Sequence, residues 1–502
     1  MKYDFGQKQF VETALNADKL AVAGSDGDLS WAMLKQQTEE LCEVLKKLQI
    51  PQGHPVLIYG HKEKFFPVAM LACIQCSLPY VPADRMYPPE RIRKIIEITG
   101  SQVLIQCGEV VPDVQIPVVI GVQGTYQQHT MPLFEGNTYG DPSDPLQYIL
   151  FTSGSTGEPK GVQITRDAVQ AFINWVVKDY GFRSDDVFLN QAPFTFDISL
   201  YDLLGAFAMG ASLVLNSADI CKNQDLFLKR IRDYRCSIWN STPSFVFLYL
   251  RNALFLAASL PALRTFILIG EEFPNRTARL LRTGFPGARL YNAYGPTEAT
   301  VATSLLEITD TIIEKYPSLP IGYAMPGSEL FIEKNDPEQK EGELIISGTH
   351  VSCGYLKNEN LNRERFFMHQ GKRAFRTGDQ AYAENGLFFF LGRNDDQVKM
   401  HGFRIELHEI TGLLMTHPLV SDASTIALKR GSEVKKLVSF VVLKKEVKLE
   451  EVREQLFAFL GKSLPPYMMP GDLEAITELP YSTSHKVDKK KLSEDYLKKQ
   501  MN

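Results

Sequence analysis

The sequence predicts an α/β protein with a large N-terminal domain of parallel-rich sheets covered by helices and a small α+β domain at the C-terminus. Three observations lead there. The chain has 502 residues, too many for one ordinary core, so two or more domains are expected. Through most of the chain, apolar β-like runs alternate with helical runs. Near position 393 that texture changes to short polar and charged stretches between small strand-like runs.

The elements follow in order. HPVLIYG (54–60) reads as a buried strand, KFFPVAMLACIQC as a helix and LPYVPAD as the next strand. SQVLIQC, IPVVIGV, ASLVLNS, CSIWNST and RTFILIG repeat the strand pattern. Strands this apolar are usually covered on both faces, as in parallel α/β sheets. LFFFLGR ends at Gly392-Arg393, and NDDQVKMHGFRIELHEI reads as polar and flexible at first, then helical. The last hundred residues read as a β-α-β-β-α-β-like unit, with ASTIALKR, KLVSFVVLKK and a charged helix around Leu449–Leu464. A linker is expected at about 393–397, where Asn394-Asp395-Asp396 suits a turn or hinge; this divides the chain into 1–393 and 394–502. There is no internal repeat and no low-complexity tract.

Composition narrows the function classes. A net charge of −5 argues against a general nucleic-acid binder. No run of eighteen apolar residues appears, so no membrane span is expected. The start, MKYDFGQKQF, lacks the apolar segment of a signal peptide. Seven cysteines over this length read as reduced thiols of a cytoplasmic protein. Cys73 and Cys76 form a CxxC, but within a helix-like apolar stretch where that spacing needs no redox chemistry. Basic residues gather in KRGSEVKK, LKKEVK and HKVDKKKL, either as a solvated face or as a docking surface for an acidic protein partner.

The stretch FTSGSTGEPKG (151–161) carries the first chemical signal. Small residues let the backbone approach an anion, hydroxyls and N–H groups supply donors, and Lys160 adds a charge. LQYILF precedes it as a buried strand, so the loop leaves a strand end, where open α/β sheets bind ligands. GxxxxGK[ST] does not fit, so it is not a Walker A loop. Alone, such a loop also reads as a flexible linker; the Pro159-Lys160-Gly161 that follows makes it far more specific.

With its continuation, the stretch resembles the phosphate loop of the adenylate-forming superfamily. The family's remaining motifs follow in order: YVPADRMYPPERI (80–92) before the loop, then NQAPFTFDIS (190–199), IGEE (269–272), NAYGPTEAT (292–300), GELIISG (342–348), FRTGDQ (375–380), LGRNDDQVKMHGFRIEL (391–407), LPPYMMP (464–470) and SHKVDKKKL (484–492). Phe196-Asp197 favours the amino-acid adenylation branch, because a carboxylate there would hold a substrate ammonium and select against simple carboxylic acids. Within that branch the chain looks most like the stand-alone D-alanine–D-alanyl carrier protein ligases, on NQAPF-x-FD, NSTPSF and YGPTEATVA. The resemblance implies a small barrel-like part in the large domain and a mobile C-terminal domain hinged at Asp395.

It also implies a two-step ligase using ATP and Mg²⁺. A small amino acid, D-alanine favoured, would be activated as its adenylate and passed to the phosphopantetheine thiol of a separate carrier protein. Thr152, Ser153, Gly154, Ser155, Thr156, Gly157 and Lys160 would hold the phosphates. Glu298 would hold Mg²⁺. Gly270, Glu271, Asn292, Ala293, Tyr294, Gly295 and Thr297 would line the nucleotide, with Tyr294 stacking on adenine. Asp379 would take the ribose hydroxyls, with Arg393 nearby, and Lys486 would stabilise the transition state. Asp197, Ile198, Tyr201, Asn240, Ile269 and Val301 would line the amino-acid site. Bland readings stand beside these: Asp197 as a helix N-cap before ISLYDLL, Tyr294 as core, Lys486 as one more residue of a basic tail.

Two departures bear on the substrate. Ile269 stands where the D-alanine enzymes carry a cysteine beside the substrate methyl, and Tyr201 where they usually carry a methionine. Fuller walls favour a smaller side chain, so glycine is the alternative substrate, in lipid modification or nonribosomal peptide synthesis. A third departure, Ser484-His485-Lys486 in place of Asn-Gly-Lys, alters the lysine's loop.

Overall fold

The computed structural model describes residues 1–502 apart from 13–16, 110–111, 123–125, 129–137, 142, 155–157, 335, 337, 394, 431–432, 445–446, 482–486 and 502. The chain divides into two compact units. The first comprises Met1–Arg85, Ile96–Leu150 and Gly161–Asn394; the second comprises Met86–Ile95, Phe151–Lys160 and Asp395–Asn502.

The apolar runs of the first unit form the expected strands. Val56–Gly60 is buried at every position and lies parallel to both Tyr80–Asp84 and Val103–Gln106. The helix Phe65–Gln75 that follows is buried from Phe65 through Ile74 and has no polar face, as a helix enclosed on all sides requires. In a second, nine-stranded sheet, Arg289–Tyr294, Thr265–Leu268, Ile238–Ser241, Val187–Asn190, Ser212–Leu215 and Leu20–Ala23 lie side by side and parallel. The helix Ile198–Met209 connects two of these strands and ends where Gly210 turns left-handed at φ 69°. At Gly205 an added Cβ would come within 3.2 Å of the Phe188 ring, so helix and strand approach closely there. Glu329–Glu333, Glu341–Ser347, Phe366–His369, Lys372–Glu384 and Leu387–Arg393 form a five-stranded antiparallel sheet.

The second unit departs from expectation in one place. The stretch read as flexible is a hairpin of Gln397–Met400 and Phe403–Glu406, joined by His401 and Gly402, both at positive φ (53° and 83°). Positive φ at both central residues is the geometry that matches strand twist in a two-residue turn. The β-α-β-β-α-β order is as expected, with Phe403–Glu406 as its first strand. The helix Leu407–Met415 leads into Val420–Arg430 and Glu433–Leu443, which pair antiparallel; after the helix Leu449–Gly461, the strand Asp472–Ala475 adds parallel to the second of them. Leu407, Ile410, Leu414, Leu437, Val441, Leu456, Leu460 and Leu473 form its core.

Candidate functional site

In the first unit, the carboxyl ends of neighbouring parallel strands gather seven of the expected residues, with Asn190 beside them. Asn190 ends one strand, Asn240 lies near the end of the next, Ile269, Gly270 and Glu271 follow the third, and Asn292, Ala293 and Tyr294 close the fourth. Strand carboxyl ends are where open α/β sheets leave crevices for ligands.

The last strand feeds the segment Gly295–Val301. Gly295 has no room for a side chain, since a Cβ would stand 2.6 Å from Ala302 Cα. Thr297–Ala299 is a single helical turn, after which Thr300 and Val301 both take positive φ, at 50° and 70°. Two consecutive non-glycine residues in that region cost energy, and such strain clusters at ligand sites. The turn delivers Glu298 into the interior, wholly buried, where its Oε1 accepts from the Tyr355 hydroxyl at 2.7 Å.

Tyr294 is also buried, and burial first, then the nearby Asp379 carboxylate, pushes its hydroxyl well above the ordinary tyrosine range. It donates to Asp379 Oδ2, while Arg393 donates to Asp379 Oδ1 and to the Thr377 carbonyl. Asp379 and Arg393 face one another across adjacent strands, so strand register pairs them. Asn292 donates to the Pro320 carbonyl at 2.8 Å, and Glu271 accepts from the Ser244 amide at 3.1 Å. Gly270 holds φ at 94° just past its strand.

At the amino-acid end, Asp197 occupies the N-cap position of Ile198–Met209 but is itself helical (φ −61°, ψ −29°), and its side chain does not cap. The N-cap reading is corrected accordingly. Asn240 Nδ2 donates to the Ile198 carbonyl at 2.9 Å, and its Oδ1 is buried without a hydrogen-bond partner among the described residues. Ile269 and Val301 are buried, Ile198 half-buried. Tyr201 differs from expectation. Its ring packs edge-on against Phe172 and Tyr180 and its hydroxyl bonds to that of Tyr180, so its bulk fills an aromatic core cluster.

In the second unit, the described part of the phosphate loop is held by carboxylates and backbone. Ser153 Oγ donates to the Arg404 carbonyl (3.0 Å) and accepts from the Glu406 amide (3.1 Å). The Gly154 amide donates to Glu409 Oε2 at 3.1 Å, and Lys160 Nζ reaches Glu406 Oε1 at 3.3 Å. Arg91 pairs with the other oxygen of Glu409 at 2.9 Å. Thr152 ends its strand with Oγ1 buried and unpartnered among the described residues. Asp395 accepts from the Gln397 amide at 3.3 Å, opening the hairpin. Ser155, Thr156, Gly157 and Lys486 lie outside the described residues, as does His485.

Sequence reasoning missed Tyr355, Lys62, Asn190 and Asp202. Asp202 was the readable one, a lone carboxylate in the apolar run ISLYDLLGAFAM; burial pushes its pKa well up.

Comparison with known proteins agrees over both units. A family model described as AMP-binding enzyme matches residues 10–356, and one described as AMP-binding enzyme C-terminal domain matches 409–486. The chain is 36% identical over 498 residues to the D-alanine–D-alanyl carrier protein ligase of Bacillus licheniformis, covering 97% of this chain and 98% of that protein. The crystal structure of IdnL1 superposes with a TM-score of 0.78 at 26% identity, covering 92% of this chain and 96% of that one. The Vibrio cholerae adenylation domain AlmE, solved with glycyl-adenosine-5'-phosphate, superposes at 0.81 with 23% identity over 96% of this chain and 95% of its own, a likeness of fold.

Proposed function

The chain belongs to the AMP-binding enzyme family, and on that premise we propose that it is an amino acid–carrier protein ligase that activates D-alanine. The observation that carries this reading is the 36% identity to a D-alanine–D-alanyl carrier protein ligase over nearly the full length of both chains. In the first step the D-alanine carboxylate attacks the α-phosphorus of ATP and pyrophosphate leaves. In the second, the phosphopantetheine thiol of a separate carrier protein attacks the acyl carbon of the adenylate and AMP leaves.

The residue roles are part of the proposal. Asp197 holds the substrate ammonium, with Ile198, Asn240, Ile269 and Val301 around it. Asp379 accepts from the ribose hydroxyls, and its existing bonds to Tyr294 and Arg393 fix its orientation in advance. Ser153, Gly154 and Lys160 take the phosphates, and Lys486 meets the charge that develops as pyrophosphate leaves. Asp395 is the hinge between a catalytic domain (1–393) and a lid (394–502). The seven free cysteines and the lack, among the described residues, of any helix able to cross a membrane support a cytoplasmic setting.

Mg²⁺ fits the donors present. Among the described residues no group of three His, Cys, Asp or Glu side chains is placed to hold a metal, while Glu298 offers a single buried carboxylate at the strand ends. Mg²⁺ commonly takes one or two protein carboxylates and leaves its remaining positions to water and phosphate oxygens. When bound it would neutralise charge on the nucleotide; Glu298 would contribute one ligand, oriented by Tyr355.

Pyrophosphate release measured with D-alanine, L-alanine, glycine, serine, cysteine and a fatty acid tests the reading. D-alanine is expected to give the highest kcat/KM. A marked preference for glycine, the reading favoured by Ile269, would replace the substrate while keeping the reaction.

A further inference from the structure

Lys62 is a buried lysine that the reaction as proposed does not use. It follows the strand Val56–Gly60, precedes the helix Phe65–Gln75, and is 2% exposed. Its Nζ donates to Asn190 Oδ1 and to the Ala192 carbonyl, and sits 4.0 Å from the centroid of the Phe194 ring. Phe194 in turn stacks on Phe66, with centroids 4.6 Å apart. One ammonium therefore grips three positions of the segment that runs from the strand end at Asn190 to Asp197.

The grip extends past Asp197. Asn190 spends its own donors on the Ser199 carbonyl (3.0 Å) and on Asp202 Oδ2 (3.1 Å), both in the first turns of Ile198–Met209. Gln191 donates to the Asn240 carbonyl at 2.9 Å, and Asn240 donates to the Ile198 carbonyl at 2.9 Å. Asp197 thus lies between two stretches tethered to each other through Asn190, which Lys62 holds, and separately through Gln191 and Asn240.

A buried ammonium is a costly way to fill space, and a methionine of similar length would pack without that cost. Burial pulls Lys62 down to about 7, while Asp202, Asp84, Cys221 and Glu63 act in the opposite sense. A buried amine whose donors are aimed at the segment that carries Asp197 has a use beyond packing.

We propose that Lys62 is a positioning residue for the amino-acid substrate: by holding Asn190, Ala192 and Phe194 it sets where Asp197 meets the substrate ammonium. It acts through that segment and does not itself touch substrate. The proposal rests on the reading of Asp197 as the ammonium ligand, so its test includes Asp197→Asn.

Steady-state pyrophosphate release is measured for the full chain, Lys62→Met, Lys62→Arg, Asp197→Asn and the double variant Lys62→Met/Asp197→Asn, varying D-alanine and ATP separately. Lys62→Met is expected to raise KM for D-alanine roughly tenfold or more while KM for ATP stays within about twofold. Lys62→Arg, which keeps charge and donors, is expected to recover much of that loss. In the Asp197→Asn background, Lys62→Met is expected to add little, because both act through one contact.

An effect of Lys62→Met on kcat or folded fraction alone, with KM for D-alanine unmoved, would overturn the proposal. So would full additivity with Asp197→Asn. If Asp197→Asn leaves KM for D-alanine unchanged, the reading of Asp197 fails first and this inference falls with it. Should Lys62→Met not fold, Asn190→Ser, which withdraws the Oδ1 acceptor from Lys62 and the Nδ2 donor from Ser199 and Asp202 while leaving the lysine, takes its place with the same expectation.

Discussion

The strand-end cluster of the first unit and the phosphate loop of the second hold their functional groups in opposite ways. At the strand ends the groups proposed to meet ligand are carboxylates, and donors already brace them: Tyr294 and Arg393 on Asp379, Tyr355 on Glu298. In the loop the groups proposed to meet ligand are donors, and carboxylates occupy them: Glu409 on the Gly154 amide, Glu406 on Lys160. A bracing donor leaves a carboxylate more able to accept further bonds, because the charge is fixed and oriented before ligand arrives. A carboxylate on a phosphate-binding donor must give way to the phosphate. On the proposed roles, the first region adds a ligand and the second exchanges one anion for another.

The sharpest way to break the first region is Asp379→Asn. Removing one partner from a buried, hydrogen-bonded charge pair costs about 2–5 kcal/mol, so kcat/KM for ATP is expected to fall on the order of a hundredfold to a thousandfold, measured by pyrophosphate release. Acid separates the two regions next. Asp472 loses some of its acidity to burial, but Tyr496, Arg453 and Lys436 outweigh that and hold its pKa at about 2. A carboxylate whose folded pKa is depressed stabilises the fold above its unfolded value and loses that contribution as pH falls through the folded one. The second unit is therefore expected to lose on the order of 2 kcal/mol between about pH 4 and pH 2. Asp472→Asn should flatten that dependence in urea titrations followed by a probe in the second unit.

Smaller substitutions sharpen the contrast. Tyr355→Phe deletes one bond to the buried Glu298 carboxylate, worth about 1.5–3 kcal/mol for a charged acceptor, and kcat is expected to drop about tenfold or more. Glu406→Gln has the smallest effect and the opposite sign. It removes the negative charge beside Lys160 while keeping the shape that Gln397 binds, so KM for ATP is expected to fall about threefold. A rise in that KM would mean that Glu406 supports the loop and does not compete for it.

How much of this was legible in the sequence depended on whether the determining partners were local. Strands such as Val56–Gly60 were readable because burial on both faces leaves a continuous apolar run. The strand-end residues were readable because adenylate-forming motifs name them in order. The hairpin at 397–406 was not, since its turn places His401 at φ 53°, where Asn or Asp before Gly is the stronger signal. Tyr201 misled for a related reason. It lies on a helix buried nearly all round, so its substitution for a smaller residue did not reveal that Phe172 and Tyr180 receive it. Lys62 and Tyr355 carried no spacing signal, because Asn190 is 128 residues from the one and Glu298 is 57 from the other.

The most direct test of the whole account is pyrophosphate release from the purified full chain with ATP, Mg²⁺ and each amino acid in turn, followed by loading of a phosphopantetheinylated carrier protein. D-alanine is expected to give the highest kcat/KM and to end on the carrier thiol, with AMP released. Turnover with no amino acid, or with a fatty acid in preference, would contradict it.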